Sequence, residues 1–229
     1  MIRKIKIINQ IFIINLKKNK IIMATFNSTT FGAISGRHGS AVAANSKNGK
    51  SILKVFKAPT NPNSIKQQKQ RTKFGFVNSE LSCMRELFKI TLGSSRGINQ
   101  AVSMAMKDAV TGEFPDYAIV YDKLKMTSGS VYGSGLVSAA KTLGTTVMVD
   151  WDYTPLSGNS PNDGVSLIFF NEESKEAMLK QNHAERMAQN AEVELPELWA
   201  GAKVHCWIYF STPNGTLNSA SQYISFLQL

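Results

Sequence analysis

Val204-His205-Cys206-Trp207-Ile208-Tyr209-Phe210 is rich in β-branched and aromatic side chains and contains neither glycine nor proline. Such a run reads as a β-strand, and its period of two turns Val204, Cys206, Ile208 and Phe210 to one inward face. Residues 145–153 repeat the pattern, with Val147, Val149 and Trp151 pointing inward from a second strand. Further runs at 118–121, 165–170, 191–195 and 222–227 are separated by turn signals at Ser128-Gly129, from Pro155 to Gly164, and at Pro213-Asn214-Gly215. Short strands punctuated in this way predict an antiparallel β-sandwich over residues 117–229. The polar stretch 175–190 reads as an excursion between strands, helical in character.

Upstream of the strands the period changes. Phe74, Val77, Leu81, Met84 and Phe88 follow a 3-4-3-4 spacing that places one apolar stripe on a helix. Ser64, with Gln67 three positions on, fits a capping box at its start. A second helix is expected over 99–110, packing through Ala101, Val102, Ala105, Met106, Ala109 and Val110, with Gly112 as its stop. The short connection 93–98 makes the two an antiparallel pair, and residues 64–116 therefore form a helical segment. Before them, 23–63 is a Gly-, Asn- and Lys-rich arm. Its Gly32, Gly36 and Gly39 favour turns, while 41–45 and 51–56 flank Asn48-Gly49 as a β-hairpin. Pro59-Thr60-Asn61-Pro62-Asn63 acts as a linker. The fold class expected is thus α+β: basic arm with hairpin, antiparallel helix pair, C-terminal sandwich.

Charge is distributed unevenly. The first acidic residue is Glu80; residues 1–79 hold fifteen Lys and Arg, whereas 80–229 hold eleven basic and sixteen acidic residues, within a chain of net charge +10. Residues 1–22 are drawn mostly from Ile, Lys and Asn and read as translated leader ahead of a start at Met23, with a targeting segment and a basic membrane-surface helix as the rival readings. Arg37, Lys47, Lys50, Lys54, Lys57, Lys66, Lys69, Arg71 and Lys73 remain as candidate polyanion contacts, able to neutralise phosphates. Few aromatic residues accompany them, and a basic helix start opposes the helix dipole, which favours acids there.

Catalytic and metal-binding signals are weak. His38, His183 and His205 sit on separate segments, and adjacent His205 and Cys206 point to opposite strand faces. Cys83 and Cys206 lack metal spacing and read as buried, unpaired apolar residues. Asp150, Asp152 and Asp163 could gather as a calcium-holding cluster, against which stands a solvated outer face. Ser51-Ile52-Leu53-Lys54 matches Ser-x-x-Lys by chance, in a strand rather than a helix. Residues 129–135 form a flexible Gly-rich turn without the dinucleotide pattern. No cofactor is implied.

Asn63-x3-Gln67-x2-Gln70-Arg71-x2-Phe74, then Phe114-Pro115-Asp116-Tyr117, Ser128-Gly129 and a Trp151-bearing β domain make up an order that resembles an uncharacterised bacterial family, domain-of-unknown-function family 6266. The resemblance runs from about residue 31 to the C-terminus. The family has no assigned activity, so it implies no site residues. The last hundred residues separately resemble fibronectin type III and immunoglobulin-like sandwiches. Together these features lead us to expect a non-enzymatic structural or protein-interaction module, whose partner is another protein or a second copy. Nucleic acid bound by the acid-free arm is the alternative. With no transmembrane segment expected after residue 23, the protein is expected to be soluble; its compartment stays open, the cytoplasm being favoured over export.

Overall fold

The computed structural model describes residues 23–26 as backbone, and 35–45, 51–58, 60–93, 96–156 and 158–229 with side chains. Residues 1–22, expected to be translated leader, lie outside the described residues. The chain divides into two compact units, Met1–Pro62 and Asn63–Leu229.

In the first unit, β1 (Met23–Phe26), β2 (Gly36–His38), β3 (Ala41–Asn45) and β4 (Ser51–Val55) form an antiparallel sheet in the order β1-β4-β3-β2. The expected hairpin is present as β3–β4, with Asn45 opposite Ser51. Regular structure extends further than the glycines suggest, because Gly36 begins β2 and Gly39 takes a φ of +57° in the turn to β3.

The second unit holds three layers. Its middle layer is an antiparallel sheet in the order β10-β9-β12-β13, made of β9 (Gly164–Asn171), β10 (Glu176–Glu185), β12 (Lys203–Ser211) and β13 (Gln222–Gln228). On one face lies a smaller sheet, β11-β8-β7, from β7 (Val137–Lys141), β8 (Thr146–Trp151) and β11 (Asn190–Glu194). Val147, Val149 and Trp151 meet Leu167, Phe169, Cys206, Ile208 and Phe210 there, as the alternation predicts. This is the sandwich.

The other face is covered by helices α1 (Ile65–Leu81), α2 (Arg85–Leu92) and α3 (Gly97–Asp108). Ile168, Phe170, Trp207 and Tyr209 pack on that side against Val77, Leu81, Met84, Phe88, Ala101 and Ala105. Strands buried on both faces need apolar residues at nearly every position, and β9 and β12 have them. A short hairpin, β5 (Val110–Glu113) with β6 (Asp116–Ile119), follows α3.

The helices differ from expectation in detail. A 3-10 turn at Ser82–Met84 breaks the first one between α1 and α2. Phe74 leaves the apolar stripe and is 54% exposed, because the stripe reaches the core only from Val77 onward. Half of the capping box forms: Ser64 Oγ accepts from the Gln67 amide at 3.4 Å, while Gln67 Oε1 has no partner. α3 ends at Asp108 rather than near Gly112, since Val110 enters β5. At Gly97 a Cβ would stand 2.1 Å from the Phe88 carbonyl oxygen, so only glycine admits this close helix connection.

The helical excursion expected over 175–190 is instead the edge strand β10 with a 3-10 turn at Arg186–Ala188. An edge strand tolerates polar residues, and β10 contributes only Ala177, Met178, Leu179 and Ala184 to the cores. Just beyond it, Arg186 is buried. Its Nε lies 3.2 Å from Asp163 Oδ2, its Nη1 and Nη2 donate to the carbonyls of Gly133 and Tyr132, and its guanidinium stacks 3.8 Å over Phe210. Its own carbonyl accepts from the Trp151 indole at 2.7 Å. Burial lowers the Arg186 pKa, and Asp163 opposes that shift.

Arg186→Met leaves Asp163 as an unpaired buried carboxylate and should cost about 3 kcal/mol in denaturant unfolding. The double variant Asp163→Asn/Arg186→Met should recover part of that loss. A loss for Arg186→Met below about 1 kcal/mol would show that the pair is dispensable.

Candidate functional site

The sequence-predicted cations fall into two groups, each within its own unit. In the arm, Arg37 lies opposite Val42, which lies opposite Lys54, so both cations share one face of the four-stranded sheet. The Arg37 guanidinium sits 3.8 Å over the Phe56 ring, and its Nε donates to the Gly39 carbonyl. Lys54 and Lys57 are exposed, while Lys47 and Lys50 lie outside the described residues. In the body, Lys66, Lys69 and Arg71 are exposed on the first turns of α1. Lys73 turns inward and donates to the Met106 carbonyl at 2.9 Å, at the end of α3 where the helix dipole favours a cation. Beside it a groove of about 600 Å³ opens between α1 and α3, lined by Gln70, Lys73, Phe74, Ser103, Met106 and Lys107.

A second constellation escaped the sequence reading. Glu172 follows β9, Lys203 and His205 stand on β12, and Tyr223 on β13. His205 Nδ1 lies 2.9 Å from the Tyr223 hydroxyl, and Nε2 lies 3.3 Å from Glu172 Oε2, which also meets Lys203 Nζ at 3.1 Å. Tyr121 stacks on the imidazole with ring centroids 4.2 Å apart. An ionised carboxylate can only accept, so Nε2 carries the proton and Nδ1 accepts from the Tyr223 hydroxyl. Burial lowers the His205 pKa below its ordinary 6.5, against the pull of Glu172. Burial also pushes Tyr223 up to about 12, with Asp122 adding to the effect. For Glu172 burial raises the pKa, but hydrogen bonds from Lys203 and His205 outweigh it and the net shift is downward. The result is a neutral histidine and a protonated tyrosine, which clasp the end of β9 to β12 and β13. An alternating strand pattern cannot signal this cluster, because its members lie on three separate segments.

The remaining sequence candidates disperse. Asp163 pairs with Arg186 and leaves Asp150 and Asp152, so the calcium cluster does not form; among the described residues no group of acidic, His or Cys side chains is arranged to hold a metal. Cys206 is buried as expected, but Cys83 is exposed at the 3-10 turn, where its Sγ donates to the Glu80 carbonyl. Ser51 and Lys54 lie on β4, in a strand. The Gly-rich segment is held close rather than loose: a Cβ at Gly129 would stand 1.9 Å from the Asn218 carbonyl oxygen, and Gln222 bonds Ser134 through both ends of its amide.

The fold and these sites define an α+β protein in which helices back one sheet of a β-sandwich. The chain belongs to the family of unknown function DUF6266, whose family model matches residues 24–225. No curated protein matches it. No helix among the described residues is long and apolar enough to cross a membrane.

Because the folded pKa of His205 is depressed, the stability it contributes is complete above about pH 6.5 and declines as the pH falls toward the folded value. Chemical denaturation between pH 7.5 and 5 should show this slope, and His205→Gln should flatten it. An unchanged slope in the variant would place the titration elsewhere.

Proposed function

We propose that the protein is a non-enzymatic interaction module that assembles with another protein chain through its arm. The observation that carries this reading is the arm's sheet. Ser51–Val55, the apolar run of the arm, is the inner strand β4, paired on one side with β1 and on the other with β3. The segment is therefore not itself a spare strand, and the outer strands β1 and β2 offer their edges to a neighbouring chain. Leu53 and Val55 add exposed apolar surface on the same sheet. The sandwich, read as fibronectin type III-like, is of a kind that presents loops and edges for binding, though fold alone does not fix function.

Arg37 and Lys54 on one face of that sheet favour a second reading, in which the arm grips nucleic acid. Salt separates the two, because phosphate contacts weaken steeply between low and physiological ionic strength.

Deleting residues 23–57 should lower the assembled mass measured by light scattering and leave thermal unfolding of the body intact. An unchanged mass, together with salt-sensitive binding of labelled DNA or RNA by the full chain only, would replace the first reading with the second.

A further inference from the structure

The body carries opposite charge on its two outer layers. Residues 64–126, the helices with the hairpin and turn that pack beside them, contain ten basic and six acidic residues, whereas the three strands of the small sheet contain one basic and three acidic residues. On the helical side Lys66 stands one turn before Gln70, Lys69 one turn before Lys73, and Lys107 closes the groove that exposes Phe74. Of the six acids there, Glu80 pairs with Lys175, Glu86 with Lys89 and Asp108 with Lys125, while Glu113, Asp116 and Asp122 stand on the β5–β6 hairpin and the turn after it. Among the described residues, no acidic side chain lines the groove.

The small sheet lies across the central sheet from the helices. Val147, Val149, Trp151, Ala191 and Val193 face the sandwich core, so the alternate residues Asp150, Glu192 and Glu194 face outward. His183 Nε2 lies 2.9 Å from the Glu192 carbonyl oxygen on this sheet. Lys141, at the end of β7, is the sole basic residue on the three strands. Beside Asp150 and Asp152 a cleft of about 530 Å³ opens, bordered by Leu136, which is 71% exposed.

Resting on the reading of the protein as an interaction module, we propose that the partner of the body is a second copy of this chain, bound head to tail: the basic helical face of one copy docks on the acidic outer sheet of the next. Charge complementarity orients the encounter, and the exposed apolar residues Phe74 and Leu136 supply surface on the two sides. The two faces differ and lie on opposite layers, so the contact is heterologous and extends into a row rather than closing as a two-fold dimer.

Sedimentation velocity of the full chain over a concentration and salt series tests this. Mass should rise with concentration at low salt and fall as salt is added. Lys66→Glu/Lys69→Glu/Lys107→Glu should weaken self-association about ten-fold or more, as should Asp150→Lys/Glu192→Lys/Glu194→Lys. Each triple variant alone should stay monomeric, whereas an equimolar mixture of the two should associate again, through the pair of native faces and through the pair of reversed ones. Combining all six substitutions in one chain should restore association, which also shows that the surfaces fold. A monomer at every concentration, masses unmoved by either reversal, or a basic face that binds only nucleic acid would overturn the proposal. If the reversals change nothing while deletion of 23–57 lowers the mass, the head-to-tail contact falls and the arm-based reading stands.

Discussion

Burial of β9 and β12 on both faces is the constraint from which the rest of the body follows. A strand with apolar side chains up and down cannot leave either face to water without exposing several large residues, Phe169 and Phe210 on one side, Phe170 and Trp207 on the other. Each such side chain contributes about 1.5–3 kcal/mol when removed from water, so neither cover is optional. The small sheet and the helices are the two covers. This makes the helical segment part of the sandwich protein's core rather than an appendage to it.

Polar groups trapped by that packing are matched individually. All three indole N–H groups find acceptors: Trp151 at the Arg186 carbonyl, Trp199 at Glu176, and Trp207 at the Leu124 carbonyl. Arg186 gathers Asp163, the carbonyls of Tyr132 and Gly133, and the face of Phe210 into one buried site. It ties the Gly-rich segment, the loop before β9 and the turn after β10 to the sandwich core. His205 does the corresponding work on the helical side, with neutral charge instead of a paired one. Both are buried polar clasps, and a clasp of this kind specifies which loops meet as much as it adds stability.

Much of the fold was legible because it rests on local periodicity. The alternation over 204–210 and 145–153 placed the inward-facing residues of β12 and β8, and the 3-4 spacing from Val77 to Phe88 placed the stripe of the helical layer. Edge elements were harder to see. β10 hides among polar residues because an edge strand needs few apolar ones, and β7 is built of Val, Ser and Ala with little hydrophobic contrast. The basic residues were visible as a group in sequence, but Lys73 proved committed to the end of α3.

The sequence by itself determined the α+β class, the hairpin in the arm, the helical layer and the inner strands, since each follows from spacing within a few consecutive residues. Tertiary structure alone decided that His205, Trp207 and Tyr209 are buried rather than solvated, that Asp163 answers Arg186 instead of Asp150, and that Glu172, His205 and Tyr223 converge. It also decided which outer layer bears which charge. These are relations between residues distant along the chain, and they come into being only when the layers stack, because burial and pairing are properties of neighbours in space.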